Sequence, residues 1–228
     1  MQSNIAGSGR NQIPHAFCDR AEAGGLLASR LHRFGQRDDV VVLALPRGGV
    51  PVAYQVAQDL GAPLDVFTVR KLGVPGHEEF AMGAIASGGA QVLNFETVDM
   101  LRIPRASVFH VVDEERRELA RRERLYRDHR PYPAVDGKTV ILVDDGLVTG
   151  ASMLAAVHAL RQKHPARIVV AVPVGAPDVC DLLRRHADEV VCYLTPERLF
   201  SVGTWYEDFS QVGDLEVREL LNRAATGS

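Results

Sequence analysis

The chain has 228 residues, of which 46% are hydrophobic and 6% aromatic, and this suits one large globular domain or one domain with a small addition. Its net charge of −3 and pI of about 6.2 give no reason to expect a nucleic acid as partner. No apolar run reaches the ~18 residues of a membrane span, so no membrane partner is expected either.

The N-terminal composition and the cysteines indicate where the protein works. Residues 1–15 are polar and lack the apolar stretch of a secretory signal. Three cysteines, an odd number without metal-ligand spacing, fit a reducing compartment as small hydrophobic residues. We therefore predict a cytoplasmic protein in which residues 1–16 form a flexible tail and residues 17–228 form a single domain.

The first half of the chain begins with a helix–strand–loop–helix pattern. Apolar spacing predicts a helix over 17–34, and a continuous apolar run predicts a central strand over 40–45. The loop Pro46-Arg47-Gly48-Gly49 follows, and then a helix over 50–60. An arginine beside two glycines can bind a pyrophosphate with side chain and backbone, although a plain tight turn is the alternative.

A second cation-bearing loop follows the next predicted strand, residues 64–70. This strand ends in Arg70-Lys71, and the Gly/Pro-containing residues 72–80 that come next are predicted to form a flexible lid loop. The polar residues at the tip could transfer protons or help to hold a metal, but a solvated loop tip is the simpler interpretation; they are His77, Glu78 and Glu79. Two short strands over 81–94, joined by Gly88-Gly89, predict a hairpin.

A long helix is predicted over about 104–127, after a short one over 95–103. Seven arginines lie between Arg116 and Arg130, but six acids between Asp113 and Arg130 leave a net charge of only +1. Acid–arginine pairs at i,i+4, such as Glu118 with Arg122 and Glu123 with Arg127, favour a solvated, salt-bridged helix over a nucleic-acid surface. Part of it could serve a homodimer contact.

The most informative stretch runs from Val140 to Ser152. Four apolar β-formers are followed by Asp144-Asp145, a loop with Gly146 and Gly150, and a helix of good formers. The free N–H groups at that helix start, with the hydroxyls of Thr149 and Ser152, suit a phosphate. The two carboxylates would repel a phosphate but can accept hydrogen bonds from sugar hydroxyls or help to hold hydrated Mg²⁺. Together these groups suit a ribose 5-phosphate.

Other families also place acids after a strand. A response-regulator receiver domain needs about a hundred further residues, whereas 84 follow Asp144. A phosphatase of the Asp-x-Asp type needs an acid where Gly146 stands. An ordinary surface turn is the third alternative.

The remaining chain continues the alternation, with strands over 167–174 and 189–194 around a helix over 177–186, and a last helix from residue 214. This alternation predicts a doubly wound parallel sheet. Residues 195–212 are rich in aromatics, among them Trp205 and Tyr206. These two rings could stack on a flat heterocycle or form a small satellite core.

The stretch from Val140 to Ser152 closely resembles the PRPP-binding signature of type I phosphoribosyltransferases, in which two acids precede a Thr/Gly-rich phosphate loop. Two positions are unusual: Gly146 stands where a larger aliphatic is common, and Val148 where many members have Thr or an Asp proposed as a base. The stretches Pro46–Gly49, Val69–Gly73 and Val202–Phe209 are similar to those of a bacterial group of phosphoribosyltransferases without an assigned acceptor.

This resemblance implies an α/β fold with a doubly wound, mostly parallel sheet, a small hood over residues 195–212 and a flexible loop. It implies transfer of a 5-phosphoribosyl group from PRPP to a small-molecule nitrogenous acceptor, such as a nucleobase or an amine, with Mg²⁺ as cofactor and release of pyrophosphate. A non-catalytic sensor of PRPP or a nucleotide is the alternative. Because Val148 cannot accept a proton, a base must come from elsewhere or be unnecessary.

The resemblance also implies roles for individual residues. The 5-phosphate would be bound by Val148, Thr149, Gly150, Ala151 and Ser152. The pyrophosphate would be bound by Arg47, Gly48, Gly49, Arg70 and Lys71. The catalytic residues would be Asp144, Asp145, Arg70 and Lys71, with Asp145 holding Mg²⁺ through water. The base would be bound by Trp205 and Tyr206.

Overall fold

The computed structural model describes residues 17–127 and 131–227. The helices are α1 (Arg20–Ser29), α2 (Gly49–Leu60), α3 (Phe95–Met100), α4 (Arg105–Arg127), α5 (Ala151–Arg161), α6 (Pro177–Leu183) and α7 (Asp214–Thr226). The strands are β1 (Val40–Ala44), β2 (Leu64–Val66), β3 (Val69–Val74), β4 (His77–Ala86), β5 (Ala90–Leu93), β6 (Thr139–Val143), β7 (Arg167–Val174) and β8 (Glu189–Leu194). The predicted tail, residues 1–16, lies outside the described part.

The central sheet has five parallel strands in the order β2-β1-β6-β7-β8. Every residue of β1 and β6 is buried, because helices cover both faces of the sheet. Alternate residues of β1 belong to different cores: Val40 and Val42 pack with α1, α2 and α7, whereas Val41 and Leu43 pack with α5 and α6. The predicted doubly wound α/β fold is therefore confirmed.

The first helix is shorter than predicted and begins at Arg20. The side chain of Asp19 accepts a hydrogen bond from the Glu22 N–H and caps α1, so that Arg20 is the first helical residue. The helix ends at Ser29, and a separate 3₁₀ turn spans His32–Phe34.

A second, antiparallel sheet consists of β3, β4 and β5. The strand predicted over 64–70 is in fact two: β2 stays in the parallel sheet, and β3 begins the second sheet at Val69. Residues 72–80 form most of a hairpin with its turn at Pro75-Gly76, not an irregular loop. The reason is packing, since Leu72, Val74 and Met82 are buried against the apolar side of α4. Closure of this hairpin as a lid stays a prediction.

The long helix α4 carries the predicted surface ion pairs in part. Arg121 and Arg122 both donate to Glu118, and they lower the pKa of that carboxyl to about 2. Arg127 does not follow the prediction, because its side chain turns inward and its Nη2 donates to the Val66 carbonyl at 2.7 Å. Within residues 17–127 and 131–227, no helix is long and apolar enough to cross a membrane.

Two histidines connect α5 with the turn after α6. His158 Nε2 lies 3.0 Å from His186 Nδ1, and the Arg161 guanidinium donates to the His186 carbonyl and pairs with Asp188. Burial and the neighbouring His186 lower the pKa of His158 below its ordinary value. The folded state therefore favours the neutral ring, and protonation should weaken this contact.

The His158–His186 contact predicts a pH-dependent stability. Its contribution should be complete above the ordinary histidine pKa of ~6.5 and be lost as the pH falls through the lower pKa of the folded state. Between pH 7.5 and 5.5, the unfolding free energy of the wild type should fall relative to that of His158→Gln, because the unfolded state binds the proton more readily. Urea unfolding across this range measures the difference. His110→Gln, at an exposed site on α4, is the control, and an identical pH slope for His158→Gln and wild type would contradict the prediction.

Candidate active site

Two loops meet at the carboxyl edge of the sheet, because β1 and β6 are neighbours. The first follows β1 and contains Gly48 and Gly49, and the second follows β6 and begins with Asp144-Asp145. A Cβ on Gly49 would lie 2.8 Å from the Val143 carbonyl oxygen and 2.9 Å from the Asp144 Cα. A Cβ on Gly48 would overlap the Asp145 carboxylate, with its Cγ 2.8 Å away. The structure thus brings the predicted pyrophosphate loop and the two acids into contact, and only glycine allows this approach.

The predicted phosphate loop leads into α5. Gly150 precedes the helix in the left-handed conformation with φ of 68°, and a Cβ there would also meet Val179. Thr149, Ala151 and Ser152 are exposed and Val148 is half-buried, so these residues line an accessible helix start. The N–H groups of the first turn of an 11-residue helix have no intrahelical acceptors, which suits an anion.

Asp144 and Asp145 are half-buried neighbours. Burial and the charge of Asp145 hold the pKa of Asp144 well above its ordinary value. Burial also raises the pKa of Asp145, against the opposing effect of the Arg20 guanidinium. The Asp145 N–H donates to Asp144 Oδ1 at 2.9 Å and fixes the pair. The charged forms of these two neighbouring, half-buried carboxyl groups would be stabilised by a bound cation or by hydroxyl donors.

Arg20 is a site residue that the sequence analysis missed. Its Nε donates to Asp145 Oδ2 at 3.0 Å and its Nη1 to the Ser210 carbonyl at 2.9 Å. Its guanidinium lies over the ring of Phe209, 3.8 Å from the centroid. The capping pattern from Asp19 to Glu22 could have located the helix start. No local signal indicates that the first residue of α1 reaches the acids 125 positions later.

The two aromatic residues predicted to bind a base are buried. Trp205 is 8% exposed and Tyr206 is 6% exposed, and both pack with Phe17 in a satellite core. The Tyr206 hydroxyl donates to the Asp145 carbonyl at 2.7 Å, so this residue helps to hold the backbone of the acid pair. Both rings therefore belong to a satellite core, which was the alternative interpretation. A ligand could stack on either ring only if that ring left this core.

A cleft of about 370 Å³ lies beside the acids instead. We call residues 205–212 the acceptor-side segment. It contributes the half-buried ring of Phe209, and the exposed Gln211 lies beside it. The lining residues are Arg20, Arg47, Gly48, Asp145, Phe209, Gln211 and Val212.

Of the three basic residues predicted to bind pyrophosphate, Arg47 lines the cleft, whereas Arg70 and Lys71 lie on β3. The Nη1 of Arg47 lies 3.7 Å from the Asp214 carboxylate on α7. Arg70 donates from β3 to Glu115 on α4 at 2.6 Å, so it would have to change partner to bind a pyrophosphate. Lys71 is exposed on the same strand, and His77 and Glu78 are exposed at the hairpin turn.

The unusual Gly146 has a packing reason. A Cβ at this position would lie 2.7 Å from both methyl carbons of Val202, which precedes the acceptor-side segment. Val202 thus occupies the space that a larger residue at position 146 would fill. The Val202 side chain therefore packs directly against the backbone of the loop after β6.

Comparisons with known proteins identify the family of the chain. Residues 20–215 match the family model described as "Phosphoribosyl transferase domain". Two Mycobacterium tuberculosis proteins, "Putative phosphoribosyl transferase MT0597" and "Putative phosphoribosyl transferase Rv0571c", are each 44% identical over 208 residues. The match covers 91% of this chain and 47% of each relative, so the chain spans about half the length of these curated relatives.

A solved structure extends the likeness to three dimensions. The crystal structure of TT1426 from Thermus thermophilus is 44% identical and superposes with a TM-score of 0.80 over 90% of this chain and 97% of that one. The region matched by the family model includes Arg20 and both loops at the edge of the sheet. The chain therefore belongs to the phosphoribosyl transferase domain family.

Proposed function

We propose that the chain transfers a 5-phosphoribosyl group from PRPP to a nitrogenous acceptor, with a nucleobase as the first candidate, and releases pyrophosphate. The observation that carries this proposal is the contact between Gly48 and Gly49 on one loop and Asp144 and Asp145 on the other. PRPP carries a pyrophosphate on C1 next to the C2 and C3 hydroxyls, so a pyrophosphate-binding loop in contact with two acids that accept from hydroxyls suits it.

The proposed roles follow from what each element presents. The start of α5, residues 148–152, would hold the 5-phosphate by its free N–H groups and the exposed hydroxyls of Thr149 and Ser152. Asp144 and Asp145 would accept hydrogen bonds from the ribose hydroxyls. Arg47 and the glycines after it would bind the departing pyrophosphate, and Arg70 and Lys71 would join if the hairpin closes.

The residues present fit Mg²⁺ bound together with PRPP. Among the described residues no group of three or more His, Cys, Asp or Glu side chains could form a complete metal site. Mg²⁺ usually keeps several waters and is held by one or two carboxylates together with substrate phosphates. Asp145 would hold such an ion through water, and the bound ion would neutralise charge on the pyrophosphate.

Catalysis would rest on position and charge. The family's transition state resembles an oxocarbenium ion, so the chain must bind the leaving pyrophosphate more tightly as its charge develops. The loop N–H groups and Arg47 face that leaving group, and the two acids orient the ribose. The acceptor would enter the 370 Å³ cleft beside Phe209 and Gln211. Val148 supplies no base, which suits an acceptor that needs none.

The test is pyrophosphate release from PRPP and Mg²⁺ across a panel of purines, pyrimidines and amines. The Asp144→Asn/Asp145→Asn variant is the negative control. Release that requires one acceptor and disappears in this variant is the expected result, and it names the substrate. Binding of PRPP without release for any acceptor would replace the proposal with the sensor alternative. Absence of PRPP binding would overturn the assignment of the loop after β6.

A further inference from the structure

Arg20 has no part in the roles proposed so far, although it lines the cleft beside Asp145. It is 9% exposed, and the only other arginine buried among residues 17–127 and 131–227 is Arg127. Burying a cation is costly unless partners compensate for the lost water. An apolar side chain could fill the same space, so the presence of an arginine here needs a reason beyond packing.

The partners of Arg20 come from two sides of the cleft. On one side is the carboxylate of Asp145, the acid that also rests against Gly48 of the pyrophosphate loop. On the other side are the Ser210 carbonyl and the ring of Phe209, both in the acceptor-side segment. The guanidinium therefore connects the two loops proposed to bind PRPP with the segment proposed to face the acceptor.

The planar guanidinium suits this task better than another cation. One N–H edge meets the carboxylate, another meets a backbone carbonyl, and the flat face stacks on an aromatic ring. Asp145 accepts from Arg20 through Oδ2, which fixes the direction in which the other oxygen points. A lysine would supply the positive charge, but it has neither two separate N–H edges nor a flat face that stacks on a ring.

We propose that Arg20 is a positioning residue, which holds the Asp145 carboxylate in the orientation that receives the ribose of PRPP and links it to the acceptor-side segment. This inference rests on the proposed function. It explains why the first residue of α1 is buried beside an acid 125 positions later in the chain. It also predicts that a change at residue 20 alters PRPP affinity and the response to the acceptor together.

The experiment is calorimetric titration of Mg²⁺ and PRPP into the wild type, Arg20→Lys, Arg20→Ala and the control Arg30→Ala. Arg30 lies just after α1 and is exposed. The Kd for PRPP should rise about 10-fold in Arg20→Lys and about 10- to 100-fold in Arg20→Ala, as expected for loss of a charge-assisted hydrogen bond. Arg30→Ala should bind like the wild type.

Chemical rescue separates positioning from a purely structural effect. Free guanidinium chloride at a non-denaturing concentration should restore part of the PRPP affinity of Arg20→Ala, whereas sodium chloride at the same ionic strength should not. The melting temperature of each variant, measured without ligand, shows whether the fold is kept. Pyrophosphate release with the acceptor found in the panel should show an increased KM for PRPP with a smaller change in kcat.

The outcomes distinguish the two proposals. If the wild type does not bind PRPP, the proposed function fails and the role of Arg20 fails with it. If the wild type binds PRPP and Arg20→Lys and Arg20→Ala bind it equally well, this inference is wrong, whereas the proposed function is still decided by pyrophosphate release from the wild type. Loss of affinity that guanidinium does not restore, together with a lower melting temperature, would also overturn it in favour of a structural role.

Discussion

Replacing Asp144 with Asn should stabilise the ligand-free protein and at the same time remove most of its affinity for PRPP. Burial and the charge of Asp145 raise the pKa of Asp144, so the folded state favours the neutral form of this side chain. Asparagine is neutral, and its oxygen can still accept the hydrogen bond from the Asp145 N–H. We expect a gain of about 0.5–2 kcal/mol at pH 8, the range typical of single stabilising substitutions.

The pH dependence of this gain has a defined sign. A carboxyl group whose folded-state pKa is raised stabilises the fold fully below its ordinary pKa of ~3.9 and loses that contribution as the pH rises through the higher, folded-state value. The advantage of Asp144→Asn over the wild type should therefore be small near pH 4 and grow towards pH 8. Urea unfolding at several pH values measures it.

Affinity for PRPP should change in the opposite direction. The proposed hydrogen bonds from the ribose hydroxyls to a charged carboxylate are each worth about 1.5–3 kcal/mol, so the Kd should rise at least about 10-fold. Asp38→Asn, at an exposed position before β1, is the matched control and should change neither quantity. A destabilised Asp144→Asn would contradict the electrostatic argument, and unchanged PRPP affinity would contradict the assignment to the ribose.

The sequence was sufficient to predict those elements whose local residue pattern matches their burial in the fold. β1 and β6 are buried on both faces, and each is a continuous apolar run in the sequence. The glycines of the two loops predicted backbone that can bind an anion, and the structure adds that Gly48 and Gly49 also allow the two loops to touch. In these places the composition of a few neighbouring residues decides the outcome.

The sequence failed where the deciding contact is distant. Leu72 and Val74 are interspersed with glycine and proline, and their packing on α4 is what makes residues 72–80 a hairpin. Aromatic content alone could not decide whether Trp205 and Tyr206 face a ligand or Phe17. The pairing of Arg20 with Asp145 spans 125 positions, so no local periodicity could predict it.

Alanine at Gly49 should cost about 1–3 kcal/mol of unfolding free energy, the usual effect of overpacking. The added Cβ would meet backbone atoms of β6 and the loop after it, namely the Val143 oxygen at 2.8 Å and the Asp144 Cα at 2.9 Å. Backbone cannot rotate away, so α2 and the end of β6 must separate. Because the two loops would then move apart, PRPP affinity should fall with the stability.

Gly48→Ala and Gly25→Ala complete the comparison. At Gly48 the obstacle is the Asp145 carboxylate, which can turn away from Arg20, so we expect about 10-fold weaker PRPP binding with a smaller loss of stability. At Gly25, inside α1, no atom beyond its chain neighbours and the local helix backbone lies within 4 Å of the added Cβ, so alanine should stabilise the helix by about 0.5–1 kcal/mol. Chemical unfolding and PRPP titration on the three variants measure both effects.

Equal stability of Gly49→Ala and Gly25→Ala would show that the two loops do not meet as closely as the structure places them. If Gly48→Ala kept the wild-type affinity, Asp145 would not need its present position to bind PRPP.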